Sequence, residues 1–114
     1  AFDTVRRPVC LFGHTHVPVC YVTSEDDLDA VQILEPDADG GLEVIVEPGL
    51  RYLINPGAVG QPRDGDARAA YALYDSTRQT ITLRRTPYPV EQAQTRILTA
   101  GLPDVLAKRL AVGR

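Results

Sequence analysis

The sequence predicts a mixed α/β chain in which a mostly antiparallel sheet is followed by two C-terminal helices. Two patterns predict it. From residue 5 to residue 86, short β-branched and aromatic runs alternate with clusters of Gly, Pro, Asp and Asn, which is how strands and turns punctuate a chain. Beyond Pro89 the apolar period changes, and Val90, Ala93, Ile97 and Leu98 recur at helical spacing. A length of 114 residues suits one core, so 1–114 is read as a single unit.

Residues 5–12 read as a buried strand and 17–23 as another. Ser24 to Asp29 is an acidic loop without the glycine and terminal glutamate of a calcium loop, and reads as a solvated turn. Three strand signals follow, Val31 to Glu35, Leu42 to Val46 and Arg51 to Asn55, and the turns between them predict an antiparallel meander with Asp37 to Gly41 as a hairpin turn. Leu42, Val44 and Val46 share one face. Asn55 to Asp66 is a loop at a sheet end, where side chains can be aimed at a ligand. Ala69 to Tyr74 is apolar on both faces and reads as a central strand. Thr80 to Arg85 alternates, with one wet face. In the tail Gly101 stops the first helix, Pro103 and Asp104 open the second, and Val105, Leu106 and Leu110 are expected inward.

A net charge of -3 argues against a nucleic-acid surface. No apolar run approaches 18 residues, so no membrane span is expected. The start Ala1 to Arg7 lacks the apolar core of a signal peptide. Cys10 and Cys20 read as small buried hydrophobes in a reducing cytoplasm, with a disulfide open only if a turn brings them together. The chain holds no Met and reaches a strand signal at once, which makes it look like a piece of a longer protein.

The candidate chemistry lies in Leu11-Phe12-Gly13-His14-Thr15-His16-Val17-Pro18, which holds both histidines of the chain. In extended backbone, residues i and i+2 point to the same side, so His14 and His16 can present neighbouring nitrogens to a metal ion. Gly13 would let the backbone turn or another group approach. A rival uses Cys10-x3-His14-x-His16-x3-Cys20 as a zinc knuckle. Strands on either side work against it, because they would hold Cys10 and His16 about 20 Å apart at roughly 3.3 Å per residue. In the later loop, Asn55 ahead of Pro56-Gly57 suits a turn that bonds its own backbone, or a substrate contact. Arg63 is a candidate bidentate partner for phosphate, and Asp64 and Asp66 read as turn formers.

Leu11-Phe12-Gly13-His14-Thr15-His16-Val17-Pro18 resembles the Gly-His-x-His signature of the calcineurin-like metallophosphoesterase superfamily. More narrowly, it is similar to the small single-domain prokaryotic phosphodiesterases, where Gly-His-Thr-His-x-Pro is usual. Asn55-Pro56-Gly57-Ala58-Val59-Gly60-Gln61-Pro62-Arg63 resembles the same branch, with Ala58 where serine is usual, and Gly101-Leu102-Pro103 to Gly113-Arg114 has the look of its ending. The resemblance implies half of a four-layer αββα sandwich. It also implies a two-metal hydrolase of phosphate mono- or diesters that uses manganese, iron, zinc or similar ions. His14 and His16 would each serve a different metal. The family's Asp-x-His, Gly-Asp and Gly-Asn-His motifs are absent, and thirteen residues before His14 leave no room for them. The chain therefore looks like the C-terminal portion, inactive alone, holding metal weakly or not at all. Its uncovered apolar face would need the missing N-terminal half or a second copy. The rival readings are a non-catalytic interaction domain that kept the fold and the small zinc module.

Overall fold

The structure, a computed structural model, describes Phe2 and residues 7–114. Among the described residues, seven strands form two sheets. The first holds β1 (Val9–Leu11), β5 (Leu50–Asn55), β2 (Val19–Ser24) and β3 (Gln32–Leu34), in that spatial order. β1 runs parallel to β5, and the other pairings are antiparallel. The second sheet places β7 (Thr80–Thr86) between β4 (Leu42–Ile45) and β6 (Ala69–Asp75), all antiparallel. Of the strand expected over 5–12, residues 5 and 6 lie outside the described residues.

The core lies between the two sheets. Cys20, Val22, Tyr52 and Ile54 face inward from the first, and Val44, Ile81 and Leu83 from the second. The Tyr52 hydroxyl ties them together, donating to the Ile45 carbonyl and accepting from the Glu47 N–H, both at 3.0 Å. As expected, Val44 is buried on the face it shares with the half-buried Leu42 and Val46.

The expected meander does not form. β3 pairs with β2, β4 crosses to the second sheet, and β5 inserts between β1 and β2. The Asp37 turn is real, with Asp37 Oδ1 accepting from the N–H groups of Asp39 and Gly41, both at 2.9 Å. It carries the chain between sheets and closes no hairpin. The strand expected to be central, Ala69 to Tyr74, is an edge, and β7 takes the middle.

In the tail, α1 (Val90–Thr99) ends at Gly101, whose φ of 72° lets the Leu102 N–H return to the Ile97 carbonyl at 3.2 Å. α2 (Asp104–Lys108) and the 3-10 turn Arg109–Val112 follow. The helices pack chiefly against each other. Ala107 and Leu110 are the buried positions, while Val105, expected inward, is 62% exposed. The tail meets the body at the loop 56–68, where the Gly65 N–H donates to the Gly113 carbonyl at 3.0 Å.

Candidate metal centre

The parallel strands β1 and β5 end side by side. The Phe12 N–H still bonds the Ile54 carbonyl at 2.9 Å, and there regular pairing stops. Residues 13–17 arch over the end of β5 to reach Pro18, which is buried ahead of β2. The backbone here is not extended, so strand alternation is not what orients the imidazoles. His14 and His16 both adopt left-handed conformations, with φ of 79° and 63°. Such positions cost an L-residue roughly 1–2 kcal/mol, and strain of this kind gathers at functional sites. Gly13 is not the residue that turns. It has no positive φ, and a Cβ there would meet nothing within 4 Å.

The histidines differ in their surroundings. His14 is exposed, and among the described residues its ring has no hydrogen-bond partner. His16 is half-buried, with Nδ1 2.7 Å from the Gln61 carbonyl. A carbonyl only accepts, so Nδ1 carries the proton and Nε2 keeps a lone pair for a ligand. A backbone carbonyl that fixes tautomer and ring direction is the usual companion of a metal-binding imidazole. The Arg63 N–H donates to the His16 carbonyl at 3.3 Å, closing a second link between the two loops.

Asn55 holds this arch from beneath. It is fully buried, its amide N–H groups reach Thr15 Oγ1 at 2.8 Å and the Gly13 carbonyl at 3.4 Å, and its Oδ1 accepts from the Gly57 N–H at 2.9 Å. Both polar atoms of that side chain are engaged, the amide nitrogen in the arch and the oxygen in the turn. The bond from the Gly57 N–H to Oδ1 is the backbone turn expected of an asparagine ahead of Pro56-Gly57. Arg63 is exposed beside His16, its guanidinium held by Gln61 Oε1 at 2.8 Å and 3.3 Å. No carboxylate pairs with it among the described residues.

Among the described residues, no group of three or more His, Cys, Asp or Glu could hold a metal ion. Two imidazoles with one ring pre-oriented fit part of a metal site. The zinc knuckle is ruled out by register. Cys20 pairs with Ile54 on the core face, whereas Cys10 pairs with Leu53 and faces the other way, so the two thiols lie on opposite sides of the sheet. The same register excludes a disulfide, and both cysteines are free. Burial pushes the Cys20 thiol up from 9.0 to about 11.

One residue escaped notice in the sequence. Arg85 follows Ile81 and Leu83 on the inward face of β7, opposite Ala70, and its side chain is 3% exposed. It grips the far end of the loop 56–68: Nη2 pairs with Asp64, Nη1 donates to the Arg68 carbonyl at 3.1 Å, and Nε lies 3.9 Å from Asp66 Oδ2. The available signal was the period of two, which places an arginine on the core side.

No family model matches the chain. A crystal structure of a metallophosphoesterase from Sphaerobacter thermophilus superposes with a TM-score of 0.84 at 44% identity, covering 99% of this chain and 45% of that one. The chain therefore shares the fold of the matched part of that metallophosphoesterase. A curated relative, an uncharacterised protein of Methanocaldococcus jannaschii, is 35% identical over 102 residues, 90% of this chain and 38% of the relative. The chain thus spans less than half the length of both. Within the metallophosphoesterase fold, His14 and His16 sit where two loops meet at one sheet end. Among the described residues no helix is long and apolar enough to cross a membrane.

Proposed function

We propose that this chain is the C-terminal portion, 1–114, of a metal-dependent phosphoesterase, to which it contributes His14 and His16 as ligands of two different divalent ions. The observation that carries this is the His16 ring, fixed through Nδ1 by the Gln61 carbonyl with Nε2 free, beside a second exposed histidine held in a strained backbone. Manganese, iron or zinc bound there would polarise a phosphoryl oxygen and activate water near neutral pH. Within this chain, Arg63 orients a phosphate mono- or diester by a charged, forked contact, and Asn55 keeps the His14–His16 arch in place. The carboxylate ligands come from the rest of the protein. Two free thiols suit a reducing compartment, and the cytoplasm is the proposed location.

The partner for the open side is the missing half. One edge strand of each sheet among the described residues, β1 and β6, borders an apolar groove of about 430 Å³ lined by Val9, Leu11, Val46, Ala72, Tyr74 and Ile81. Leu11 and Tyr74 stand 60% and 58% exposed there, which is a large apolar surface to leave wet.

The test is hydrolysis of bis-p-nitrophenyl phosphate with manganese. The isolated chain should show no useful turnover. In the longest protein the gene encodes, His14→Ala and His16→Ala should each lower the rate by more than the roughly 10–100-fold typical of losing an outer-shell partner. Full activity in either variant, or enzyme-like rates from the chain alone, would overturn the proposal.

A further inference from the structure

We infer that Arg85 is a positioning residue for His16, acting through the loop that carries Gln61. The inference takes its purpose from the proposed function, but its geometry stands without it. His16 is oriented only as well as the Gln61 carbonyl is placed, and Gln61 belongs to a stretch, 56–68, with no ladder of its own. One end is stitched to the sheets: the Ala70 N–H donates to the Ala58 carbonyl at 2.9 Å, and Asn55 lies buried below. The other end has Arg85, which reaches up from the middle strand of the second sheet to Asp64 and the Arg68 carbonyl. A buried guanidinium is costly unless paired, so the loop end that pairs it is not free to drift.

The surroundings are shaped for this clamp. A Cβ on Gly40 would overlap Arg85 Cγ, so only glycine lets the crossover between sheets close over the arginine stem. On the opposite side, a Cβ on Gly113 would lie 2.6 Å from the Asp66 backbone N, so the C-terminal turn presses on the same segment. Lysine could not replace the arginine, because an ammonium offers a point charge where a planar fork meets a carboxylate and a carbonyl together.

Long-range 1H–15N spectra of the two imidazoles, taken where both are neutral, test the inference in this chain. The parent should show His16 in the single Nδ1–H form. Arg85→Lys and Asp64→Asn should turn His16 into a tautomer mixture with a growing Nε2–H fraction, while His14 stays unchanged and amide dispersion is kept. Asp64→Asn leaves Arg85 its bond to the Arg68 carbonyl, so it retains a partner if the lysine variant fails to fold. Zinc affinity should fall roughly tenfold in the folded variants. An unchanged His16 tautomer in folded Asp64→Asn, or equal changes in both rings, would overturn the inference. An altered His16 in the variants upholds the Arg85–His16 coupling whether or not zinc perturbs either ring of this chain, because the metal reading stands or falls separately on the His14→Ala and His16→Ala variants of the longer protein.

Discussion

Replacing His14 by glycine should stabilise the chain, whereas the same replacement at His16 should not. Both residues sit at positive φ, 79° and 63°, so glycine relieves roughly 1–2 kcal/mol of backbone strain at either site. Against this, the extra freedom of glycine in the unfolded chain takes back roughly 0.4–1 kcal/mol. His14 is exposed and makes no hydrogen bond among the described residues, so nothing else is lost, and a net gain of about 0.5–1 kcal/mol remains. His16→Gly also breaks the 2.7 Å bond to the Gln61 carbonyl, worth about 1 kcal/mol, and uncovers part of the loop, so its balance is zero or negative. Urea unfolding of the parent and both variants reads the difference, which should be about 1 kcal/mol or more in favour of His14→Gly. A loss of stability in His14→Gly as large as that in His16→Gly would refute the reasoning. The expected sign is what a side chain kept for a ligand, and not for the fold, should give.

Asn55→Ala removes two short hydrogen bonds from a fully buried site and strands the Gly57 N–H. It should cost about 3 kcal/mol in urea unfolding, and a cost below about 1 kcal/mol would mean that the arch is held elsewhere. Burial raises the Cys20 thiol from 9.0 to about 11, so the stability it contributes is full below pH 9.0 and lost as the pH rises through about 11. Unfolding midpoints should fall across that window in the parent and stay flatter in Cys20→Ala. The Asp66 carboxyl is lowered from 3.8, first by the hydrogen bond from the Arg68 side chain. Its contribution is therefore present above pH 3.8 and lost as the pH falls through the depressed value, and Asp66→Asn should remove that part of the acid loss. The difference is small because the ion pair is well solvated.

Strands, turns and helices were legible because they depend on local pattern, and partners were not. Leu42 to Val46 alternates in either sheet, so its crossing to β7 depends on a tertiary match, Leu42 and Val44 lying beside Leu83 and Ile81 on the inward face. β6 looked central because Ala69 and Ala70 are apolar on both sides, but the reason is close approach. A Cβ on Gly57 would lie 2.6 Å from Ala70 Cβ, so the loop lies tight against that strand. Leu73 and Tyr74 in the same strand are exposed at an edge. The histidine pair was legible as a motif, but its geometry was not, since only a folded loop shows left-handed φ at both residues and a carbonyl from 45 positions away. Asn55 bonds its own turn, as its place ahead of Pro56-Gly57 suggested, whereas its reach to Thr15 across 40 positions had no local signal.

Manganese titration followed by amide and imidazole NMR tests the central claim most directly. The ion is paramagnetic and marks whatever it touches. The account predicts that the His14 and His16 rings broaden first, followed by residues 13–17 and 61–63. Broadening that begins instead at the acidic loop 24–29, or at Asp64 and Asp66, with both imidazoles left sharp, would contradict it.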